Sequence, residues 1–434
     1  MDRFFSFSEK GTNIRREVLA GLTTFLTMVY IVVVNPAILE KAGMDFGAVF
    51  VATVLASVIS TLIMGLFANY PIAIAPGMGL NAYFAFSVVG QSKIGWETAM
   101  GAVLVAGILF LILSVTRFRE GLINAIPSSL KFGITAGIGL FIAFIGLKSA
   151  GIIVGDEVNL VGLGDFHSPM TILSLCGLFV TLVLMTLRVP GALFLGMVLT
   201  ALGAWMSGLF ELPQRWVTLP PSMAPTFGAA VDSLPQVFEH GLYAVIFAFL
   251  LVTLFDTTGT MIGVAEQAGL TKDGKFPRMK SALLADAVGM TTGAVMGTSP
   301  TSAYIESSAG VAAGGRTGFT AVVVSLLLLG TLFFEPLVAQ VAALPAITAP
   351  TLIIVGCFMM AGLAKVKWED FDEAFPAFIV MLSMPLTFSI ATGIAFGFIT
   401  YPLLKLARGR GKDVHPLLYL FMVLFILQLA FLPE

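Results

Sequence analysis

The sequence predicts an all-α polytopic membrane protein with about 14 transmembrane segments, and three observations support this fold class. Of its 434 residues, 58% are hydrophobic and only 11% are charged, whereas a soluble domain carries about 25% charged residues. Apolar stretches follow one another along the whole chain, many of them near the roughly 20 residues that a spanning helix needs. Positive charge is also distributed unequally between the two sides that these stretches define. We therefore expect no separate soluble domain.

The apolar segments are numbered here from 1 to 14 in chain order. They cover approximately residues 18–38, 47–69, 72–90, 95–116, 130–150, 169–187, 190–210, 241–263, 280–297, 301–313, 317–339, 347–363, 374–388 and 390–407. A further apolar stretch at 415–432 follows a basic run. The pattern leaves open whether this last stretch lies along the interface or crosses the bilayer once more.

The positions of Lys and Arg test this segment list. If the N-terminus is cytoplasmic and every segment crosses, all but four of the 23 Lys and Arg residues fall on the cytoplasmic side. The four exceptions are Lys41, Lys93, Lys148 and Arg215. Cytoplasmic loops of membrane proteins carry such an excess of positive charge. The count supports fourteen spans, and we predict a multi-pass protein of the inner (plasma) membrane with a cytoplasmic N-terminus.

Fourteen segments divide into two halves of seven on either side of a long polar stretch. Because seven is odd, the second half enters the membrane from the opposite face, which produces the inverted repeat that many secondary transporters use. We expect residues 1–210 to form the first repeat and residues 241–409 the second. Residues 211–240 would connect them on the extracellular or periplasmic side, and residues 410–434 would form a basic stretch and a hydrophobic segment.

Segments 3 and 10 are interrupted by residues that do not form a robust helix. The runs APGMGLNAYF (75–84) and GTSPTSAYIE (297–306) carry similar NAYF and SAYI motifs, each in the third segment of its half. Non-helical backbone at membrane depth is tolerated only where it is buried in protein or lines a polar cavity. We therefore expect both segments to be short and broken and to contribute to one shared central site.

Three acidic residues lie within apolar segments: Asp256 in segment 8, Asp286 in segment 9 and Glu306 in segment 10. A charged carboxylate inside the membrane costs at least a few kcal/mol, so such residues are rarely kept without a role. We assign Glu306, Asp256 and Asp286 as candidate proton-coupling residues, and we expect Asp256 and Glu306 to face one shared cavity where the two halves break their helices. Each also has a structural alternative, in which the carboxylate accepts hydrogen bonds from neighbouring Ser, Thr or backbone groups. Asp286, near the start of its helix, suits that alternative equally well.

Polar and aromatic side chains near these acids are candidates for binding a substrate. The amide of Asn81 offers two donors and an acceptor, which suits a flat heterocycle, although an amide also joins neighbouring helices. The candidate substrate-binding residues are Asn81, Asp256, Glu306, Tyr304, Thr257 and Thr27. Asn35 precedes a proline and marks an ordinary helix end. Cys176 and Cys357 lie in apolar segments, and we expect both to be buried packing residues.

The sequence lacks the motifs that other classes of function require. The sequence contains no phosphate-binding loop, nucleophile elbow or metal-binding helix, so we predict no enzymatic activity, no cofactor and no metal. A net charge of -2 and the absence of basic runs interleaved with aromatics argue against a nucleic-acid partner.

Five long motifs carry a family resemblance. They are FSEKGTNIRREVLAGLTTFLTMVYIVVVNP, APGMGLNAYFAFSVVG, TAGIGLFIAFIGLKSAGII, LFDTTGTMIGVAEQAGL and GTSPTSAYIESSAGVAAGGRTG. Together they resemble the AzgA-like purine permeases, a branch of the nucleobase-ascorbate transporter (nucleobase-cation symporter) family, over nearly the whole chain. The resemblance implies a core domain of segments 1–4 and 8–11 and a gate domain of segments 5–7 and 12–14. It also implies paired short strands in segments 3 and 10, and a homodimer.

The same resemblance implies a proton-coupled symporter that imports purine nucleobases (adenine, hypoxanthine or guanine) by alternating access. Asn81, Asp256 and Glu306 match family residues in the third, eighth and tenth spans that bind the base and couple transport to protons. The implied partners are thus a purine base, a proton and the surrounding lipid. Asp256 and Met261 or its neighbours stand where uracil and xanthine carriers often have Glu or His, which disfavours a pyrimidine substrate. The alternatives are such a uracil/xanthine carrier, an anion (sulfate-type) exchanger and a passive channel.

Overall fold

The computed structural model describes residues 2–92, 94–116, 125–157, 159–270 and 277–431. Within these ranges, nine helices are long and apolar enough to cross a membrane, and shorter apolar helices include those of segments 3 and 7. Each of the fourteen predicted segments corresponds to a helix or to a short strand followed by a helix. Lys93, one of the four basic residues on the minority side, and residues 432–434 lie outside the described ranges.

The first half begins with a short helix, Asp2–Phe5, and ends with segment 7. Its elements are Ile14–Met28 and Ile31–Glu40 (segment 1), Phe46–Ile63 and the π turn Met64–Ala68 (2), strand β1 Ile74–Pro76 with Met78–Ala82 and Tyr83–Val89 (3), Trp96–Val115 (4), Ser128–Ser149 (5), Pro169–Thr186 (6) and Ala192–Met206 (7). A hairpin of strands β2, Ile153–Asp156, and β3, Leu160–Leu163, joins segments 5 and 6.

The second half follows two short helices, Ala229–Asp232 and Leu234–Glu239. Its elements are Tyr243–Gln267 (segment 8), Met279–Met296 (9), strand β4 Thr301–Ala303 with Ser307–Ala312 (10), Gly318–Thr331 and Glu335–Ala342 (11), Pro345–Met359 and Met360–Lys365 (12), Phe371–Thr387 (13) and Ile390–Ala407 (14). A final helix, Pro416–Phe431, follows.

Polar residues at the helix starts explain where several segments begin. The side chains of Asn13 and Asp45 accept hydrogen bonds from backbone N–H groups three residues later, at the starts of segments 1 and 2. Thr317 caps segment 11 in a similar way. These are typical N-cap residues, which satisfy backbone donors that the first turn of a helix leaves unpaired.

The two halves meet through strands β1 and β4, which confirms the strands expected in segments 3 and 10. The strands pair antiparallel, with Ile74 opposite Ala303 and Pro76 opposite Thr301. All six strand residues are buried, so the non-helical backbone finds its partners inside the protein, as membrane burial requires. Antiparallel pairing of equivalent segments is the arrangement expected of an inverted repeat.

The helices pack in two groups, which confirms the core and gate domains. Segments 1 and 2 pack extensively on segment 11, and segments 2 and 4 on segment 9. In the second group, segment 5 packs on segments 12 and 13, and segment 13 on segment 14. Glycines allow this close approach: a Cβ at Gly133 would lie 2.8 Å from the Cα of Ala377, and one at Gly137 would lie 2.6 Å from the sulfur of Met384.

The C-terminal helix Pro416–Phe431 contacts both groups. The Phe421 ring centroid lies 4.5 Å from that of Phe247 in segment 8 and 5.7 Å from that of Phe398 in segment 14. The helix is therefore packed against the core and the gate at the same time.

The expectation that both cysteines are buried was wrong. Cys176 in segment 6 and Cys357 in segment 12 are free and exposed. In a membrane protein the surface that meets lipid is as apolar as the interior, so hydropathy does not show which face of a helix is buried.

Candidate functional site

Two of the predicted site residues, Asp286 and Thr257, anchor strand β4 through hydrogen bonds. The carboxylate of Asp286 accepts hydrogen bonds from the hydroxyls of Thr257 and, at 2.8 Å, Thr301. The Thr257 hydroxyl also accepts the backbone N–H of Ala303 at 3.4 Å. Asp286 and Thr257 are fully buried, and neither lines the two cavities described below. Their arrangement fastens β4 to segments 8 and 9.

A second buried network surrounds Asn81 in segment 3. Its amide nitrogen donates to the side-chain oxygen of Asn35 at 3.0 Å. Asn35 also accepts from Ser299 at 2.9 Å and donates to Thr53 and Thr298 at 2.7 and 2.9 Å. The side-chain oxygen of Asn81 is buried without a hydrogen-bond partner among the described residues. The prediction that Asn35 marks a helix end was wrong, because the helix Ile31–Glu40 continues through Pro36. Asn35 is instead the centre of a network that orients Asn81.

Asp256 lines a cavity between the core and gate domains. The other lining residues are Gly79, Leu80, Ile134, Thr135, Ile138, Val252, Phe255 and Met359. The cavity volume is about 20 Å³, which is room for a water molecule and not for a heterocycle. Segment 5 closes it, because a Cβ at Gly79 would lie only 2.3 Å from Cγ2 of Ile138. Ser302 of strand β4 lies near the Asp256 carboxylate.

Glu306 lines a different and much larger cleft of about 480 Å³. The Tyr30 hydroxyl donates to Oε1 of Glu306 at 2.5 Å. Thr27 lines the same cleft, and its hydroxyl donates to backbone carbonyls, including that of Glu306 at 3.3 Å. Tyr304 is buried, and its hydroxyl donates to the Pro76 carbonyl of strand β1 at 2.6 Å. The cleft volume lies in the range of small-molecule sites.

The two principal acids therefore do not share one open pocket, contrary to our expectation. Asp256 and Glu306 are close enough for their charges to interact, and both interact with Tyr304. They nevertheless line separate cavities. The reason is the position of the gate domain, since Ile138 fills the space beside Gly79 while the loop at 188–191 leaves the space beside Glu306 open.

The sequence analysis did not identify Tyr30 and Glu17, whose side chains make hydrogen bonds that the structure shows. Tyr30 binds Glu306, but a tyrosine in an apolar helix carries no signal that separates it from a packing residue. Glu17 is fully buried and accepts hydrogen bonds from the backbone of Arg316 at 2.9 Å and from the hydroxyls of Thr317 and Thr320 at 2.8 and 2.6 Å. It lies at the start of segment 1, where an acid is expected to be solvated.

Two helical domains that meet around half-buried carboxylates, inside a chain with repeated membrane spans, define a membrane transporter. The model of the Permease family matches residues 15–396. The chain belongs to this family, which confirms the resemblance seen in the five motifs, and it is a multi-pass membrane permease and not an enzyme.

Relatives extend over the full length of the chain. It is 57% identical over 435 residues to the guanine/hypoxanthine permease PbuO of Bacillus subtilis (strain 168), covering 99% of this chain and 100% of that protein. It is 48% identical over 433 residues to the adenine permease AdeP of Escherichia coli (strain K12), covering 100% and 96%.

Solved structures with the same fold include the transmembrane domain of a cyanobacterium bicarbonate transporter, BicA, and SLC26A9. The first has a TM-score of 0.65 at 14% identity and covers 88% of this chain and 97% of that chain. The second has a TM-score of 0.63 at 15% identity and covers 90% and 66%. These likenesses show the fold alone.

Proposed function

We propose that the protein is a proton-coupled symporter that imports purine nucleobases by alternating access. The observation that carries the proposal is the placement of Asp256 and Glu306 beside the paired strands, each lining a cavity between the core and gate domains. Relatives named as guanine/hypoxanthine and adenine permeases support a purine substrate. The substrate is then adenine, hypoxanthine or guanine.

In this proposal the base binds between the domains next to strand β4. Asp256 accepts from the base, and the free side-chain oxygen of Asn81 is a further acceptor that Asn35 already orients. Segment 5 must move away from Gly79 before a purine can enter, because the present cavity at Asp256 has room only for water. The described arrangement is thus closed at Asp256 and open at Glu306.

Proton coupling rests on carboxylates that meet different cavities at different stages. Glu306 is the proposed carrier, with Asp256 as its partner, because the two carboxylates line the two cavities between the core and gate domains. Tyr30 holds one oxygen of Glu306 and keeps the carboxylate at the cleft. The buried Asp286 remains a candidate for the coupling, although its hydrogen bonds to Thr257 and Thr301 support a structural role.

We also propose that the protein lies in the inner membrane with a cytoplasmic N-terminus and forms a homodimer. Residues 211–240 would connect its two repeats. The excess of positive charge on one side supports the orientation. Thr27 and Tyr304 complete the proposed substrate site, the first from the cleft and the second by fixing strand β1.

Uptake of labelled hypoxanthine and adenine tests the proposal, in cells that lack their own purine carriers and with or without a protonophore. We expect accumulation above the external concentration that collapses when the proton gradient is removed. Equilibration without accumulation would indicate a channel. Transport of sulfate or uracil in place of purines would support the exchanger or the pyrimidine carrier.

A further inference from the structure

The cleft at Glu306 contains a positive charge that the proposed substrate site does not use. Arg188 lines this cleft from the loop between segments 6 and 7, on the gate domain, whereas Thr27 and Glu306 line it from the core. The loop is packed closely on the core, because a Cβ at Gly191 would lie 2.9 Å from the carbonyl oxygen of Leu26. Arg188 itself has a left-handed backbone with φ of 56°, a conformation that its surroundings must hold in place.

The side chain of Arg188 is exposed in the part of the chain that the structure describes. Among the described residues no ion pair or side-chain hydrogen bond engages it. Apart from Arg188, Glu306, Thr23 and Thr27, the cleft is lined by apolar residues and glycine. The cleft therefore carries Arg188 on its gate side and Glu306 on its core side, and most of its remaining lining is apolar, a composition that suits a flat ring with polar edges.

An arginine and a carboxylate distinguish between purines by the hydrogen-bonding groups on the edges of the base. A 6-oxopurine presents two acceptors, O6 and N7, on one edge and an N1–H donor on the other. Arginine binds the O6 and N7 pair with two parallel hydrogen bonds, and a carboxylate accepts from N1–H. Adenine presents an amino donor where a 6-oxopurine has O6, so it faces the guanidinium with a donor against a donor.

We propose that the cleft between Arg188 and Glu306 is a binding site for 6-oxopurines, hypoxanthine and guanine, and that Arg188 selects them over adenine. This assignment rests on the proposed purine transport. It adds a second binding site for the base, separate from the closed cavity at Asp256. Its volume of about 480 Å³ accommodates a base. The loop that carries Arg188 lies on the side predicted to be cytoplasmic. The base would therefore occupy this second site on its way to release into the cytoplasm.

A cysteine in the cleft reports its occupancy. In a protein with Cys176→Ser and Cys357→Ser, Thr23→Cys places a thiol in the lining. We expect hypoxanthine to slow maleimide labelling of this thiol and adenine to do so only at concentrations about tenfold higher or more, as a bidentate contact requires. Arg188→Ala should remove this preference, and Arg188→Lys should also lose most of it, because an ammonium cannot make the two parallel bonds.

Arg215→Ala, a change at an exposed arginine in the connection between the halves, is the matched control and should keep the preference. Protection by both bases at equal concentrations, or full preference in Arg188→Ala, would overturn the assignment. Uptake of both bases is measured in the same cells. Purine uptake without any protection of the thiol would overturn the cleft site alone, whereas absence of purine uptake would overturn the proposed function.

Discussion

The contact between Gly79 and Ile138 gives the sharpest test of how the core and gate domains move. Gly79→Ala adds a Cβ that would lie 2.3 Å from Cγ2 of Ile138, whereas carbon atoms in contact are about 3.5–4.0 Å apart. Segment 5 must therefore retreat by more than about 1 Å. Overpacking of this kind costs about 1–3 kcal/mol, so we expect the closed arrangement to lose about 5- to 150-fold in population.

The cavity beside Asp256 reports that change through Thr135→Cys in a background without Cys176 and Cys357. We expect Gly79→Ala to accelerate maleimide labelling of the new thiol at least about fivefold and to slow hypoxanthine uptake. Adding Ile138→Ala should restore the slow labelling, since it removes Cγ2 and leaves the Ile138 Cβ 3.8 Å from the new methyl group. The control is Gly263→Ala, whose Cβ would meet nothing within 4 Å. Unchanged labelling in Gly79→Ala, or equal acceleration in the control, would refute the reasoning.

Three further changes separate transport from stability. Glu306→Gln should abolish accumulation of labelled hypoxanthine while the protein still reaches the membrane, and normal accumulation would remove Glu306 from the coupling. Asn81→Ala should change the affinity for the base, measured by competition of uptake, more than the amount of protein; equal losses of both would indicate a packing role. Glu17→Gln should lower the melting temperature in detergent, because an amide oxygen replaces a carboxylate that accepts several hydrogen bonds, at about 1–3 kcal/mol; an unchanged melting temperature would contradict that role.

Much of the fold was predictable because membrane burial imposes strong local rules. The apolar stretches predict the fourteen segments. The helix-breaking residues around Asn81 and before Glu306 identify segments 3 and 10 as interrupted. The pairing of β1 with β4 was expected only through the family resemblance, since three-residue strands leave no periodicity to detect.

The site was less predictable because it depends on contacts between distant segments. Asp286 and Thr257 resembled functional residues from their depth alone, and only the geometry shows that they brace strand β4. Tyr30 donates a hydrogen bond to Glu306, and Arg188 lines the cleft at Glu306. Both come from parts of the chain that no local sequence pattern links to segment 10. The separation of the two acids into different cavities depends on the relative position of the core and gate, which no sequence motif specifies.

In the proposed mechanism, carboxylates between the two domains couple the entry of a purine to the entry of a proton. The most direct measurement uses purified protein in liposomes that enclose a pH-sensitive dye, with hypoxanthine added outside. We predict that hypoxanthine entry acidifies the lumen with the wild-type protein, and that neither concentrative entry nor acidification occurs with Glu306→Gln. Hypoxanthine entry with no change in lumenal pH would contradict the account.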